Sequence, residues 1–300
     1  MDDSADSRHK LDHGPLIVPP GERISLGDYD PRYCEGLEGK SEGRKALLED
    51  KSDLAAAQTL LWANSKRSVL IILQALDAAG KDGAIKHVMS GVNPQGVTVQ
   101  SFKAPTSEER LHHFLWRPAQ VLPPRGRIAI FNRSYYEEVL VVRVHPAFLD
   151  SQFLPERERD LPLDELWQSR YAAINDFEKR INHDADITIL KFFLNVSKDE
   201  QRERFIERLE RPEKNWKFSG NDLRERGYWD AYQEAYQDML SATSTEDAPW
   251  HVIPADRKWF ARAAIADIIT RRIGALNLQP PELSEEQRED LTKARQELGI

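Results

Sequence analysis

Residues Ser68 to Lys86 read SVLIILQALDAAGKDGAIK, and this stretch decides the fold. Val69 to Leu73 form an unbroken apolar run, rich in β-branched side chains and too short for a helix, which predicts a buried strand. The run ends in Asp77-Ala78-Ala79-Gly80-Lys81-Asp82-Gly83, after which Ala84, Ile85, His87, Val88 and Met89 are spaced as on a helix. Strand, tight loop and helix in that order make a phosphate cradle. Small residues let successive N–H groups turn inward around an anion, the helix N-terminus adds partial positive charge, and a loop lysine reaches phosphoryl oxygens. The motif G-x-x-x-x-G-K-[ST] expects glycine at Ala75 and a hydroxyl at Asp82, so the match is incomplete. A glycine-rich turn with an incidental exposed lysine would share most of these features. Asp77 tips the balance toward phosphate, because an acid so close to such a cradle is repulsive unless a cation lies between them.

Working outward, Lys45 to Asn64 reads as an amphipathic helix leading into this strand, and residues 1–45, rich in Gly, Pro, Asp and Arg, as an N-terminal arm lying on the domain or on a neighbour. Beyond the cradle, predicted strands at Val97–Phe102, Ile128–Phe131, Ile187–Val196 and Trp250–Ile253 alternate with helical patterns. Those helices are SEERLHHFLWRPAQVL from Ser107, Leu163 to Asn182, DEQRERFIERLERPEKNWK from Asp199, Leu223 to Leu240, and a closing helix through Trp259 and Ile268. That alternation implies an α/β protein with a parallel sheet. Residues 46–275 form the expected domain, with a charged helical tail over 276–300 suited to solvent or a subunit contact.

The chain has 300 residues and a formal net charge of -8, which argues against coating nucleic acid. Its start, MDDSADSRHK, lacks the apolar core of a signal peptide, and no apolar run reaches membrane-spanning length. The expectation is a cytoplasmic protein. Its single cysteine, Cys34, fits a reducing compartment and excludes a multi-cysteine zinc site.

In parallel sheets ligands gather outside the carboxyl ends of the strands, so Asn132-Arg133-Ser134-Tyr135-Tyr136-Glu137-Glu138 should face the same crevice as the cradle. Asn132 stands where such enzymes usually carry a metal-linked aspartate. Its carbonyl oxygen can still serve a metal, and Glu137 lies about one helical turn on. A capped helix start would use the same residue types. Farther along, Arg202, Arg204, Arg208, Arg211, Lys214 and Lys217 concentrate positive charge where Pro212 breaks a helix. Arg211, Lys214 and Lys217 lack sequence-adjacent acids on both sides, as in a movable lid over phosphates.

The combination of DAAGKDG at 77–83, SFKAPT at 101–106, HHFLWR at 112–117, IAIFNRSYYEEVLVVRVHP at 128–146 and RPEKNWKFSGNDLRERGYWDAY at 211–232 resembles the family-2 polyphosphate kinases, from about Leu47 to Ile273. The resemblance implies a three-layer αβα sandwich with a parallel five-stranded sheet. It would be a P-loop kinase similar to thymidylate kinase, with a helical lid at about 205–225. It implies magnesium-dependent phosphoryl transfer, manganese being an alternative, between inorganic polyphosphate and AMP, ADP or ATP. The Asn132/Glu137 pair looks like the subgroup accepting both AMP and ADP. Family members assemble as homo-oligomers, dimers or tetramers.

On that resemblance, Asp77, Lys81, Asn132, Arg133 and Glu137 form the catalytic set, with Asp77, Asn132 and Glu137 around the metal. Ala79, Gly80, Lys81, Asp82 and Gly83 bind phosphate through the loop, and Arg208, Arg211, Lys214 and Lys217 close over it. Lys103 and Arg117 are candidates for the polyphosphate track, followed by Arg127, Lys86 and His113. No strong general base is needed, because the attacking atom is already a phosphate oxygen. An ATP-using nucleoside monophosphate kinase and a non-catalytic polyphosphate- or nucleotide-binding module remain the alternatives.

Overall fold

A computed structural model describes residues 11–300; the acidic start MDDSADSRHK lies outside the described residues. Five parallel strands, β1 (Ser68–Gln74), β2 (Val97–Ser101), β3 (Ile128–Asn132), β4 (Ile187–Asn195) and β5 (Trp250–Pro254), form one sheet in the order β2-β3-β1-β4-β5. β1 is therefore central. Buried along its whole length, it has no polar face, as its apolar run requires. Val69, Ile71 and Leu73 pack on one layer, made by α1 (Lys40–Asn64), α2 (Lys81–Val88) and, after the last strand, the helix Lys258–Gly274. Leu70 and Ile72 face the opposite layer.

Between β2 and β3 the single predicted helix from Ser107 is two short ones, α3 (Ser107–Arg110) and α4 (Trp116–Ala119). Pro118 is the reason. Without an N–H it is tolerated only in a first turn, so the chain must restart its helix just ahead of it. α5 (Val141–Val144), α6 (Glu156–Arg159) and α7 (Leu163–Ala185) follow β3, then α8 (Lys198–Glu210) follows β4. The predicted helix Leu223–Leu240 also divides, into α9 (Gly220–Arg226) and α10 (Trp229–Thr243). The N–H groups of Gly227 and Tyr228 close back on Arg224 and Glu225 in tight i−3 bonds and end the first piece. α11 (Lys258–Gly274) and α12 (Glu285–Leu298) complete the chain, and α7 with α10 forms the second layer.

The first helix begins at Lys40 rather than Lys45, inside the expected arm. The described part of that arm is pinned to the sheet edge. Ile17 bridges His251 of β5 in antiparallel fashion, and Leu16, Val18 and Leu26 are buried. Among the described residues no helix is long and apolar enough to cross a membrane.

Candidate active site

The loop after β1 is shaped by two positions in the left-handed region, Ala78 at φ 62° and Gly80 at φ 112°. At φ 112° a side chain is strained, so glycine is required where the loop enters α2. Arg204, 5 % exposed on α8, braces the turn from behind. Its guanidinium donates to the carbonyls of Ala78 (3.0 Å), Ala79 (2.6 Å), Ala255 (2.5 Å) and Asp256 (3.2 Å), and to Glu200 (2.8 Å). With those carbonyls turned toward Arg204, the loop is locked and a positive charge sits directly beneath it.

Lys81 opens α2, and its Nζ donates to the Ala75 carbonyl at 2.8 Å, leaving ammonium protons for a ligand. Burial, then the nearby Arg133, pulls this ammonium down from 10.5 to about 8, against Asp77, Glu137 and Asp82, which favour its charge.

Arg133, also left-handed at φ 63°, follows β3 and lies between two carboxylates. Its Nη2 is 2.7 Å from Asp77 Oδ1 and its Nη1 is 3.4 Å from Glu137 Oε2. Glu137, first among its neighbours, and Asp77 hold the guanidinium firmly charged. Register explains the meeting. β1 and β3 pair Leu73 with Asn132, so both loops leave the sheet at the same level. Asn132 faces elsewhere, donating through Nδ2 to Asp82 Oδ1 at 2.8 Å. The three residues expected around a metal thus divide into a carboxylate pair about Arg133 and an amide tied to the loop. Among the described residues no group of three or more His, Cys, Asp or Glu side chains is gathered for a metal.

A cleft of about 950 Å³ runs over the loop. Asp77, Lys81, Asn132 and Arg133 line it together with Ala79, Gly80, Asp82 and Gly83. Lys103 stands at one side, and Arg208, Lys214 and Lys217 stand on the lid. Glu137 lines an adjoining small cavity shared with Asp77 and Arg133.

Other expected residues are placed differently. Arg117 lies outside the cleft, where it stacks on Phe102 and donates to the Lys103 carbonyl at 2.8 Å, with Glu109 at 3.4 Å. Arg127 precedes β3, at the opposite end of the sheet, and covers the Trp62 ring. Two of the three lid cations expected to lack acids, Arg211 and Lys214, have one. Glu207 is 3.2 Å from Arg211 and 2.7 Å from Lys214, and Arg208 bonds Asp222 at 2.9 Å. A turn of helix and a fold-back of α9 supply what linear neighbours did not.

Two cations escaped sequence reasoning. Lys258 and Arg262, one turn apart on α11, line the cleft. Burial, then the charge of Arg204, lowers the proton affinity of both. Their i,i+4 spacing just after β5 was the available signal, since β5 ends at the same crevice as β1.

The family description Polyphosphate kinase 2 matches residues 38–280. The chain belongs to the polyphosphate kinase 2 family. An ADP-polyphosphate phosphotransferase of Rhodopseudomonas palustris is 47 % identical over 281 residues, spanning 94 % of this chain and 96 % of the relative. An AMP/ADP-polyphosphate phosphotransferase of Meiothermus ruber is 44 % identical over 266 residues, covering 88 % and 94 %. The crystal structure of Polyphosphate Kinase 2 from Arthrobacter aurescens TC1 superposes with a TM-score of 0.81 at 41 % identity, over 93 % of this chain and 95 % of that one. The parallel five-stranded sheet with helices on both faces is thus that of a P-loop kinase of the polyphosphate kinase 2 family.

Proposed function

We propose that this polyphosphate kinase 2 family member transfers the terminal phosphoryl group of inorganic polyphosphate to AMP and ADP, giving ADP and ATP, reversibly. The observation that carries the reading is the cleft itself. Lys81, Arg204, Lys258 and Arg262 crowd around a glycine-cornered loop with more positive charge than nearby acids neutralise, which favours a multiply charged anion. The names of the relatives support polyphosphate as that anion and AMP or ADP as its partner.

In this reading the loop N–H groups from Ala79 to Gly83 and the Lys81 ammonium hold phosphoryl oxygens at the transfer point. Arg133 neutralises charge as the phosphoryl group moves, and Arg208, Lys214 and Lys217 close from the lid and exclude water, with Arg211 at its edge. Lys103, Lys258 and Arg262 carry the donor chain away from the loop. This replaces Arg117, whose guanidinium is already committed to backbone, ring and carboxylate.

A magnesium ion, with manganese as substitute, belongs to the same proposal. Asp77 and Glu137 already face one cation between them, the Arg133 guanidinium, and two carboxylates suit a hard ion that takes its remaining oxygens from phosphate and water. They would hold it, and Asn132, whose amide is tied to Asp82, would have to turn to join them. When bound, the ion supplies charge neutralisation at the phosphoryl oxygens. A cytoplasmic location fits the single cysteine, and exposed Phe148 and Phe153 support self-association as a dimer or tetramer.

The test mixes AMP, magnesium and polyphosphate without ATP and measures ADP and ATP. Formation of both is expected. Absence of product rejects the assignment.

A further inference from the structure

Gln74 ends β1 after an otherwise apolar run and is fully buried. Its Nε2 donates to Glu137 Oε1 at 2.9 Å, while its own Oε1 is buried and accepts no hydrogen bond among the described residues. Charge fixes this orientation, because turning the amide over would aim its oxygen at a carboxylate. A buried carbonyl oxygen without a donor costs stability, and a leucine or methionine would close the end of the strand without that cost. The glutamine therefore weakens the fold at this position while serving its neighbour.

The neighbour needs it. Glu137 stands on a short 3-10 turn, Tyr135–Val139, whose two tyrosines are anchored to the buried Glu178. Its carboxylate meets Arg133 only at 3.4 Å, so the 2.9 Å bond from Gln74 is the tighter restraint. Gln74 itself lines neither the cleft nor the adjoining cavity, so it does not touch substrate directly.

We propose that Gln74 is a positioning residue: it holds the Glu137 carboxylate in the orientation that faces Arg133 and Asp77, at the cost of its own unpaired oxygen. The proposal rests on the role assigned to Glu137 above. It predicts opposite signs for stability and activity, which a merely structural residue would not give.

The experiment uses full-length Gln74→Met and Gln74→Leu. Expected are a kcat about tenfold lower with KM for polyphosphate and acceptor within about twofold, since orientation rather than ground-state binding is lost. The Tm should be unchanged or higher by about 2 °C, since the orphaned oxygen is gone. In a Glu137→Ala background Gln74→Met should lower kcat no further, because its effect passes through Glu137. A lower Tm with unchanged kcat per folded molecule, or losses that multiply in the double variant, overturns the proposal. A crystal structure of Gln74→Met tests it without turnover, with a displaced Glu137 carboxylate expected and an undisturbed one overturning the idea. A wild-type protein that makes no ADP from polyphosphate would instead sink the functional reading and leave this structural test standing.

Discussion

Two clusters of cations and carboxylates flank the Tyr135–Val139 turn, and they differ in how completely they are satisfied. In the core, Lys191 Nζ donates to Glu178 (2.7 Å), the Tyr136 hydroxyl (3.1 Å) and the Thr243 carbonyl (2.6 Å). Glu178 in turn accepts from the Tyr135 and Tyr136 hydroxyls, both at 2.7 Å. Every Lys191 donor is used and neither side chain reaches solvent, at 0 % and 2 % exposure. In the cleft, Arg133 bridges Asp77 and Glu137 at 39 % exposure, and Lys81 has one hydrogen-bond partner among the described residues. The charge types are the same. Spare hydrogen-bonding capacity facing an opening separates the functional cluster from the structural one.

Substitution should separate the two most sharply at Lys81. Lys81→Ala and Asp77→Asn are expected to lower turnover about 10³-fold, in line with loss of a transition-state cation or its partner, with Tm nearly unchanged. Steady-state rates and calorimetry check this, and a large fall in Tm would erase the contrast. The core should behave oppositely. Lys191→Met leaves Glu178 buried without its cation and is expected to cost about 3–5 kcal/mol in denaturant unfolding. Adding Glu178→Leu should recover only part of that loss, because it removes the unpaired charge but takes the acceptor from the buried Tyr135 and Tyr136 hydroxyls.

The pH dependence sharpens the comparison from the cleft side. With Lys81 at about 8 when folded against 10.5 ordinarily, the folded chain gives up this proton first. The unfavourable burial of its charge is fully present below about 8 and is relieved as pH rises from about 8 to 10.5, so this group's contribution to stability increases across that window. Phosphate affinity runs the other way. KM for polyphosphate should rise up to about tenfold per pH unit above about 8, while kcat, measured with phosphate bound against the ammonium, holds to higher pH. Parallel decline of both parameters would assign the limb to another group.

The smallest expected effect is on the lid, whose cations are half-spent on their own acids. Glu207→Gln frees Arg211 and Lys214, and lowers KM for polyphosphate by no more than about threefold, since exposed pairs contribute about 0–1 kcal/mol. A tenfold change would mean that those pairs control closure.

Periodicity and residue type carried much of this molecule. The apolar run at Val69–Leu73, the small-residue turn with Lys81 and the alternation of strands and helices are local patterns, and local sterics turn them into a central strand, a phosphate cradle and a parallel sheet. The breaks near Pro118 and Gly227 were local too, yet helical spacing on either side concealed them. What linear order could not supply was which charges neutralise one another. Arg208 and Asp222, Lys258 and the cleft, and Gln74 and Glu137 meet only because separate segments are brought together at the carboxyl ends of the strands. Whether a charge is saturated or open to a ligand depends on burial and on partners distant in sequence. The chain by itself determined that phosphate chemistry has a place here, and the packing of α8, α9 and α11 over those strand ends decided which side chains remain free to perform it.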